Sequence, residues 1–291
     1  MFGERTTVVL AAFAATAALA FAGCGGDDSD SDSGSSGSSG AAKSDTASNG
    51  FKPINSGQLT VGMNLQFKPE MYLDDAGEPA GYDVDLLNEL APALNAKLNI
   101  QNLDFNGLIP GLQSKKFDMV SVGLTPTEER KQVVDFTRAY VPYALVLGAP
   151  SADAASITSV DALNAKGKTI TALQGSSGEQ LAKKLFPDAK VQGFPDQNAA
   201  FLEVATGRAD GIVVEDYLLA QFQASNAGKL DKAAIDKPLD VQYGSWAVPK
   251  GNEEFVKYLD TWLCKAQTDG TLERLYKKAF SVDEFPPMPA C

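Results

Sequence analysis

From residue 59 onward, two hydrophobic rhythms alternate along the chain. Short apolar runs at 59–65, 97–103, 117–122, 144–147, 169–173, 190–194 and 211–214 have the length and composition of strands. Between them, apolar residues return at intervals of three and four over 84–94, 109–115, 126–133, 179–185, 199–205, 217–223, 253–267 and 271–278, which predicts helices with one apolar face. Repeated alternation of strand and helix predicts an α/β fold of mainly parallel sheets covered by helices.

The first fifty residues follow neither rhythm. Arg5 precedes an apolar run over 8–22, and small residues close it at Gly23-Cys24. A positive start, a short apolar stretch and a small-residue end describe a secretory signal over 1–23. The run falls short of the roughly twenty residues that a permanent bilayer-spanning helix needs. Phe21-Ala22-Gly23-Cys24 resembles the bacterial lipobox, with Phe21 in place of the usual Leu, which marks Cys24 for lipidation. Residues 24–50 are almost entirely Gly, Ser, Asp and Ala, too poor in apolar surface to offset chain entropy, and predict a disordered tether. An exported, lipid-anchored protein on the outer face of the cell membrane is the expectation, touching the membrane only through that anchor.

Composition narrows the chemistry. The 291 residues hold enough apolar material for one large domain or two ordinary ones. There is no histidine, which excludes Ser-His-Asp and Cys-His triads and any His-ligated metal. The formal charge of −12 disfavours nucleic acid and anionic lipid as partners. Much of that acidity is local, since Glu4, Asp27, Asp28, Asp30, Asp32 and Asp45 face only Arg5 and Lys43 in the first fifty residues. Neither phosphate-binding glycine fingerprint is present. No cofactor or metal is expected. Export makes a disulfide between Cys264 and Cys291 reasonable, fastening the C-terminal tail to a helix.

Three strand-to-helix turns carry candidate chemistry. Thr125-Pro126-Thr127-Glu128-Glu129-Arg130 reads as a helix start with Thr125 as cap, Pro126 in the first helical position and Glu128 as capping-box partner. Free amides there, with the Arg130 guanidinium one turn on, make a carboxylate site. Gln174-Gly175-Ser176-Ser177-Gly178-Glu179-Gln180 offers a second start, capped by Ser176 with Glu179 or by Ser177 with Gln180. The strand at 211–214 ends in Glu215-Asp216, where one carboxylate is placed to accept from an ammonium and the other to cap the next helix. In open α/β sheets such turns gather beyond the carboxyl ends of strands. An anion clamp beside a carboxylate matches a zwitterion, which suggests an α-amino acid.

A resemblance sharpens this reading. Gly81-Tyr82-Asp83-Val84-Asp85-Leu86-Leu87-Asn88-Glu89-Leu90-Ala91-Pro92-Ala93-Leu94 resembles the signature of the family 3 bacterial solute-binding proteins, extracytoplasmic receptors of polar amino acid ABC importers. The likeness continues through Asn106 to Gln113, Phe117 to Val120, Thr125 to Arg130, Val134 to Thr137, Gly175 to Ser177, Gly207 to Asp210 and Asp269 to Thr271, covering roughly 57–283 in the family's order.

The resemblance implies a two-lobed, type II periplasmic-binding-protein-like fold with two hinge strands, near 143–148 and 243–247. The first lobe is then 51–143 with 247–291, and the second 147–243. By position, Arg130 holds the ligand carboxylate, Thr125 adds its hydroxyl and amide, and Gly123 gives its carbonyl to the ammonium. Ser177, with Ser176 beside it, reaches the carboxylate from the second lobe, while Phe67 and Phe105 pack on the ligand. Glu215 stands where the family usually has Asp, so either it or Asp216 partners the ammonium. Glu70 replaces an expected aromatic residue, and an inward Glu70 favours a cationic or amide side chain. The implied partners are a small amino acid and an importer permease with its ATPase, the receptor itself being a monomer and not an enzyme. Cyclohexadienyl dehydratases also look similar to this family and use a carboxylic acid in the cleft, which Glu215 keeps in view. A sensory or adhesion lipoprotein uncoupled from transport is a third class.

Overall fold

The computed structural model describes residues 50–291. The signal over 1–23, the lipidation at Cys24 and all of the tether over 24–50 except its last residue, Gly50, lie outside the described residues.

The apolar runs form a nine-stranded mixed sheet with a central pair of long strands. Strands β1 (Gln58–Met63), β5 (Lys97–Asn102) and β6 (Met119–Leu124) run parallel on one side. Between β1 and β5 come three very short strands, β2 (Gln66–Phe67), β3 (Met71–Leu73) and β4 (Pro79–Ala80), paired as a separate small sheet. Strand β7 (Val134–Pro150) is 17 residues long. On the other side β8 (Thr169–Leu173), β9 (Lys190–Phe194) and β10 (Gly211–Glu215) are mutually parallel. The short β11 (Leu230–Lys232) pairs with the end of β7, and β12 (Asp240–Pro249) closes the set. The strand order is β5-β1-β6-β12-β7-β10-β8-β9.

This order produces two lobes. β7 and β12 pair antiparallel from Pro249↔Val134 to Asp240↔Leu145. One end of β12 also joins β6, while the far end of β7 joins β10. Helices α1 (Tyr82–Ala93) and α2 (Leu108–Gln113) cover the first lobe, together with α8 (Glu253–Thr268) and α9 (Thr271–Phe280) from the end of the chain. The four-residue α3 (Glu128–Lys131) and α4 (Ser151–Ala154) flank β7. Helices α5 (Ser177–Leu185), α6 (Gln197–Ala205) and α7 (Asp216–Ser225) cover the second lobe.

The apolar stripes bury as their spacing requires. Leu86, Leu87 and Leu90 of α1 are fully buried, as are Leu259 and Leu263 of α8. Val61 and Met63 of β1 pack in the same core, while Leu147, Ile170 and Val213 centre a smaller cluster in the second lobe. Cys264 in α8 is bonded to Cys291, with Cα atoms 5.6 Å apart. No helix among the described residues is long and apolar enough to cross a membrane.

The helix expected over 126–133 shrinks to α3. The extended run beginning at Val134 takes over because Val134 is needed as a buried strand residue opposite Pro249. The strand expected at 144–147 is one segment of β7, whose outer half interrupts its apolar run with Arg138 and Asp135.

Candidate functional site

One cavity lies where the parallel strands of both lobes end. It is lined by Phe67 and Glu70 from the small sheet and Phe105 from the 3₁₀ turn after β5. Gly123 and Thr125 come from the end of β6, Arg130 from α3, and Tyr143 from β7. Ser176 and Ser177 from the start of α5, with Glu215 and Tyr217 at the start of α7, close the other side. Every expected ligand-contacting residue except Asp216 is therefore gathered on one cavity.

Arg130 occupies its place through α3 and not through the start expected for it. The cap of α3 is Thr127, whose hydroxyl accepts from the Arg130 amide at 3.3 Å. Thr125 as cap and Pro126 as first helical residue are thus corrected by two positions. Thr127 has the extended backbone and the three-residue spacing that a cap requires, which frees the Thr125 side chain to turn inward. The guanidinium of Arg130 is 6 % exposed and donates from Nη1 to the Thr125 carbonyl and from Nη2 to the Gly175 carbonyl, each at 2.8 Å. Its carbon sits 5.7 Å from the Phe105 ring centre. Burial lowers its pKa from the ordinary value, opposed by Tyr143 and Glu129.

Hydroxyls crowd beside it. Thr125 Oγ1 is hydrogen-bonded to the Tyr143 phenol and donates to Gln242 Oε1 at 2.9 Å, while Ser177 Oγ donates to the same amide oxygen at 2.6 Å. At the start of α5 the cap is Ser176, which accepts from the Glu179 amide at 3.0 Å; Glu179 in turn accepts from the Gly175 amide at 2.7 Å. That settles the capping alternative in favour of Ser176 with Glu179.

Gly123 turns the chain at the end of β6 with φ of 56°, a conformation that favours glycine. A Cβ there would stand 2.5 Å from Glu70 Oε1. Its amide donates to the Tyr140 phenol and its carbonyl accepts from the Tyr143 phenol, both at 2.8 Å. Behind it, Asp83 accepts from Ser121 at 2.5 Å and Tyr140 at 2.6 Å, and Trp246 Nε1 donates to Ser121 at 2.9 Å.

Two carboxyl groups face the cavity. Burial, with Asp216 adding repulsion, pushes Glu215 up to about 7 against the hydrogen bond from its own amide. Glu70 points inward, and its Oε2 accepts from the Tyr217 phenol at 2.5 Å. Burial raises its pKa well above the usual range, helped by Asp83 and Glu215 and opposed by the Tyr217 bond. Neither acid forms any of the ion pairs found among the described residues. Asp216, the first residue of α7, is exposed, accepts from the Tyr217 amide at 2.8 Å and is not among the residues that line the cavity. Of the two alternatives for the ammonium partner, Glu215 therefore stands on the cavity and Asp216 does not.

Sequence reasoning passed over Tyr143, Tyr217 and Gln242. Tyr143 stood only as a hinge position and Tyr217 only as a helix start, since a lone tyrosine gives no periodic signal. Among the described residues, no group of three or more acidic or thiol side chains is arranged to hold a metal ion.

Comparisons with known proteins converge. Residues 59–282 match the family described as bacterial extracellular solute-binding proteins, family 3. The arginine-binding extracellular protein ArtP of Bacillus subtilis (strain 168) is 30% identical over 240 residues, 81% of this chain and 91% of that protein. A crystal structure of a binding component of an ABC transporter from Wolinella succinogenes, complexed with lysine, is 30% identical with a TM-score of 0.72, covering 79% of this chain and 98% of that one. The cyclohexadienyl dehydratase of Pseudomonas aeruginosa is 25% identical over 221 residues, 76% of this chain and 82% of that protein.

Proposed function

Since the chain belongs to the bacterial extracellular solute-binding proteins, family 3, we propose that it captures a polar α-amino acid by lobe closure and delivers it to an ABC importer. One observation carries the reading: the buried guanidinium of Arg130, the buried carboxyl of Glu70 and the half-buried Glu215 line a single interlobe cavity without pairing with each other. A zwitterion supplies the missing complement. Its carboxylate takes the N–H groups of Arg130 not spent on Thr125 and Gly175, joined by the Thr125 and Ser177 hydroxyls as their protons turn from Gln242 to the ligand. Its ammonium takes Glu215 and the Gly123 carbonyl.

Closure follows from the same geometry. The lobes meet through Arg130 to Gly175, Tyr217 to Glu70, and the Gln197 amide to Gln66 Oε1 at 2.8 Å. The cavity volume is about 30 Å³, roughly the room that two waters need. An amino acid therefore enters only when the lobes part, and the contacts it makes to both lobes favour the closed form. In this reading the lobes are 51–143 with 247–291, and 147–243, hinged on β7 and β12. The chain is a disulfide-bearing monomer, exported by the signal over 1–23 and held at the membrane by a lipid on Cys24 through the tether at 24–50.

Calorimetry with the twenty amino acids tests the proposal. At least one binds, and Arg130→Ala and Arg130→Lys each abolish binding while the fold survives; lysine lacks the planar fork. Unchanged affinity in either variant would refute the site.

A second reading rests on Glu215. A carboxyl titrating near 7 inside a cavity is able to donate a proton at neutral pH, and one relative is a cyclohexadienyl dehydratase. Turnover of prephenate or arogenate by the purified protein would establish that reading.

A further inference from the structure

The cavity holds more acid than a zwitterion uses. Against one cation, Arg130, stand Glu215 and Glu70. Glu70 is 3 % exposed, and while its Oε2 is held by Tyr217, its Oε1 is fully buried with no hydrogen-bond partner among the described residues. That oxygen lies against the backbone of Gly123 at the cavity wall. The lysine nearest in sequence does not relieve it, since Lys68 turns its ammonium to the Tyr72 ring, 5.0 Å from the centroid. Asp83 lies behind Glu70 and adds repulsion.

A buried carboxyl with a free oxygen is costly until a proton or a cation completes it. A ligand with a single ammonium satisfies Glu215 and leaves Glu70 to be neutralised by a proton. A ligand with two cationic groups balances the cavity, since one anion and two cations then meet one cation and two anions. We propose that the preferred ligand is an α-amino acid bearing a second cation on its side chain, received by Glu70 Oε1, with Tyr217 holding the carboxylate in place. This rests on the amino-acid reading of the same site. The edge-to-face pair Phe67 and Phe105, ring centres 6.5 Å apart, supplies apolar wall for the alkyl part of such a side chain.

The test is calorimetry on the full chain with L-arginine, L-lysine, L-ornithine and L-glutamine, for the wild type, Glu70→Gln and Tyr217→Phe. The wild type should bind one of the three dibasic ligands about a hundredfold more tightly than glutamine. Glu70→Gln should lose about thirtyfold or more for that ligand, as expected on removing one member of a buried charge pair, and less than about threefold for glutamine. Tyr217→Phe, which keeps the carboxylate, should weaken the dibasic ligand more than glutamine and serves if Glu70→Gln fails to fold. Glutamine binding as tightly as any dibasic ligand would overturn the proposal while leaving the amino-acid reading intact. Equal losses for both ligand types in Glu70→Gln would also overturn it, by placing both acids on the α-ammonium. Failure of every amino acid to bind would remove both readings.

Discussion

The carboxylate of Asp83, at the start of α1, accepts a 2.6 Å hydrogen bond from the phenol of Tyr140 on β7. Tyr140 in turn accepts from the Gly123 amide, so a buried acid in one element orients the peptide that lines the cavity. Removing the acid leaves the Tyr140 and Ser121 hydroxyls without their acceptor in a dry core. Asp83→Ala should therefore destabilise the fold by about 3 kcal/mol, within the cost of stranding two buried donors. Asp83→Asn, which keeps an acceptor, should cost less than half of that. Urea denaturation of the three proteins measures both, and an Asp83→Ala midpoint equal to wild type would refute the role.

Gly123 should tolerate no side chain. Its φ of 56° disfavours any L residue, and a Cβ would meet Glu70 Oε1 at 2.5 Å. Gly123→Ala should cost more than about 1 kcal/mol of stability and reduce ligand affinity at least tenfold, read by thermal unfolding and calorimetry on one preparation.

Stability of the unliganded protein should fall as the pH rises through neutrality. Burial raises Glu215 and Asp83 to about 7 in the folded chain, from ordinary values of 4.5 and 3.8. Between those limits the folded chain holds protons that the unfolded chain has released. The stability tied to these groups is thus complete below the ordinary values and is lost as the pH climbs through about 7. Glu215 faces Glu70, Asp216, Tyr143 and Tyr217, while Asp83 faces Glu70, Ser121, Tyr82 and Tyr140. Arg130 shares the cavity with Glu215, but its guanidinium donates to the Thr125 and Gly175 carbonyls and forms no ion pair with either acid. Melting temperatures taken from about pH 5 to about pH 8 should decline, and Glu215→Gln should flatten the decline. A rise over that range would contradict the assignment.

Binding should show the opposite trend. An ionised Glu215 is the better partner for an ammonium, so affinity for an amino acid should grow over the pH window in which the free protein weakens. Calorimetry in two buffers of different ionisation enthalpy should detect proton release on binding. Proton uptake would be the contrary result.

The bond from Cys264 to Cys291 closes a loop with a sequence separation of 27, and neither cysteine lines the cavity. Cys264→Ser should lower stability by up to about 3.5 kcal/mol, the chain-entropy ceiling for a loop of that size, and leave ligand affinity unchanged. A loss of affinity would tie the tail to the site.

Much of this was legible before any coordinates. The strands at Thr169–Leu173 and Lys190–Phe194 appear with the bounds that their apolar runs imply. The start of α5 was readable to within one residue, because Ser176 with Glu179 and Ser177 with Gln180 each stand three apart and a capping box is a local device; the fold chose the first. The start of α3 misled for the same reason. Thr125 and Thr127 both offer a hydroxyl near Pro126, and only the turn at Gly123, with Tyr143 and Gln242 waiting for the Thr125 side chain, decides between them. The small sheet of β2, β3 and β4 gave no signal, because strands of two and three residues have no measurable period.

Alternation of apolar runs, turn chemistry and the acid-rich signature around Asp83 were enough to specify an α/β chain with Arg130, Ser176 and Glu215 at strand-to-helix turns, because each depends on neighbours within a few residues. Which way Glu70 points, that Asp216 faces solvent, and that phenols at 140, 143 and 217 orient the cavity depended on tertiary structure. Those contacts join residues 17 to 147 positions apart, and their geometry exists only once β7 and β12 hold the two lobes together.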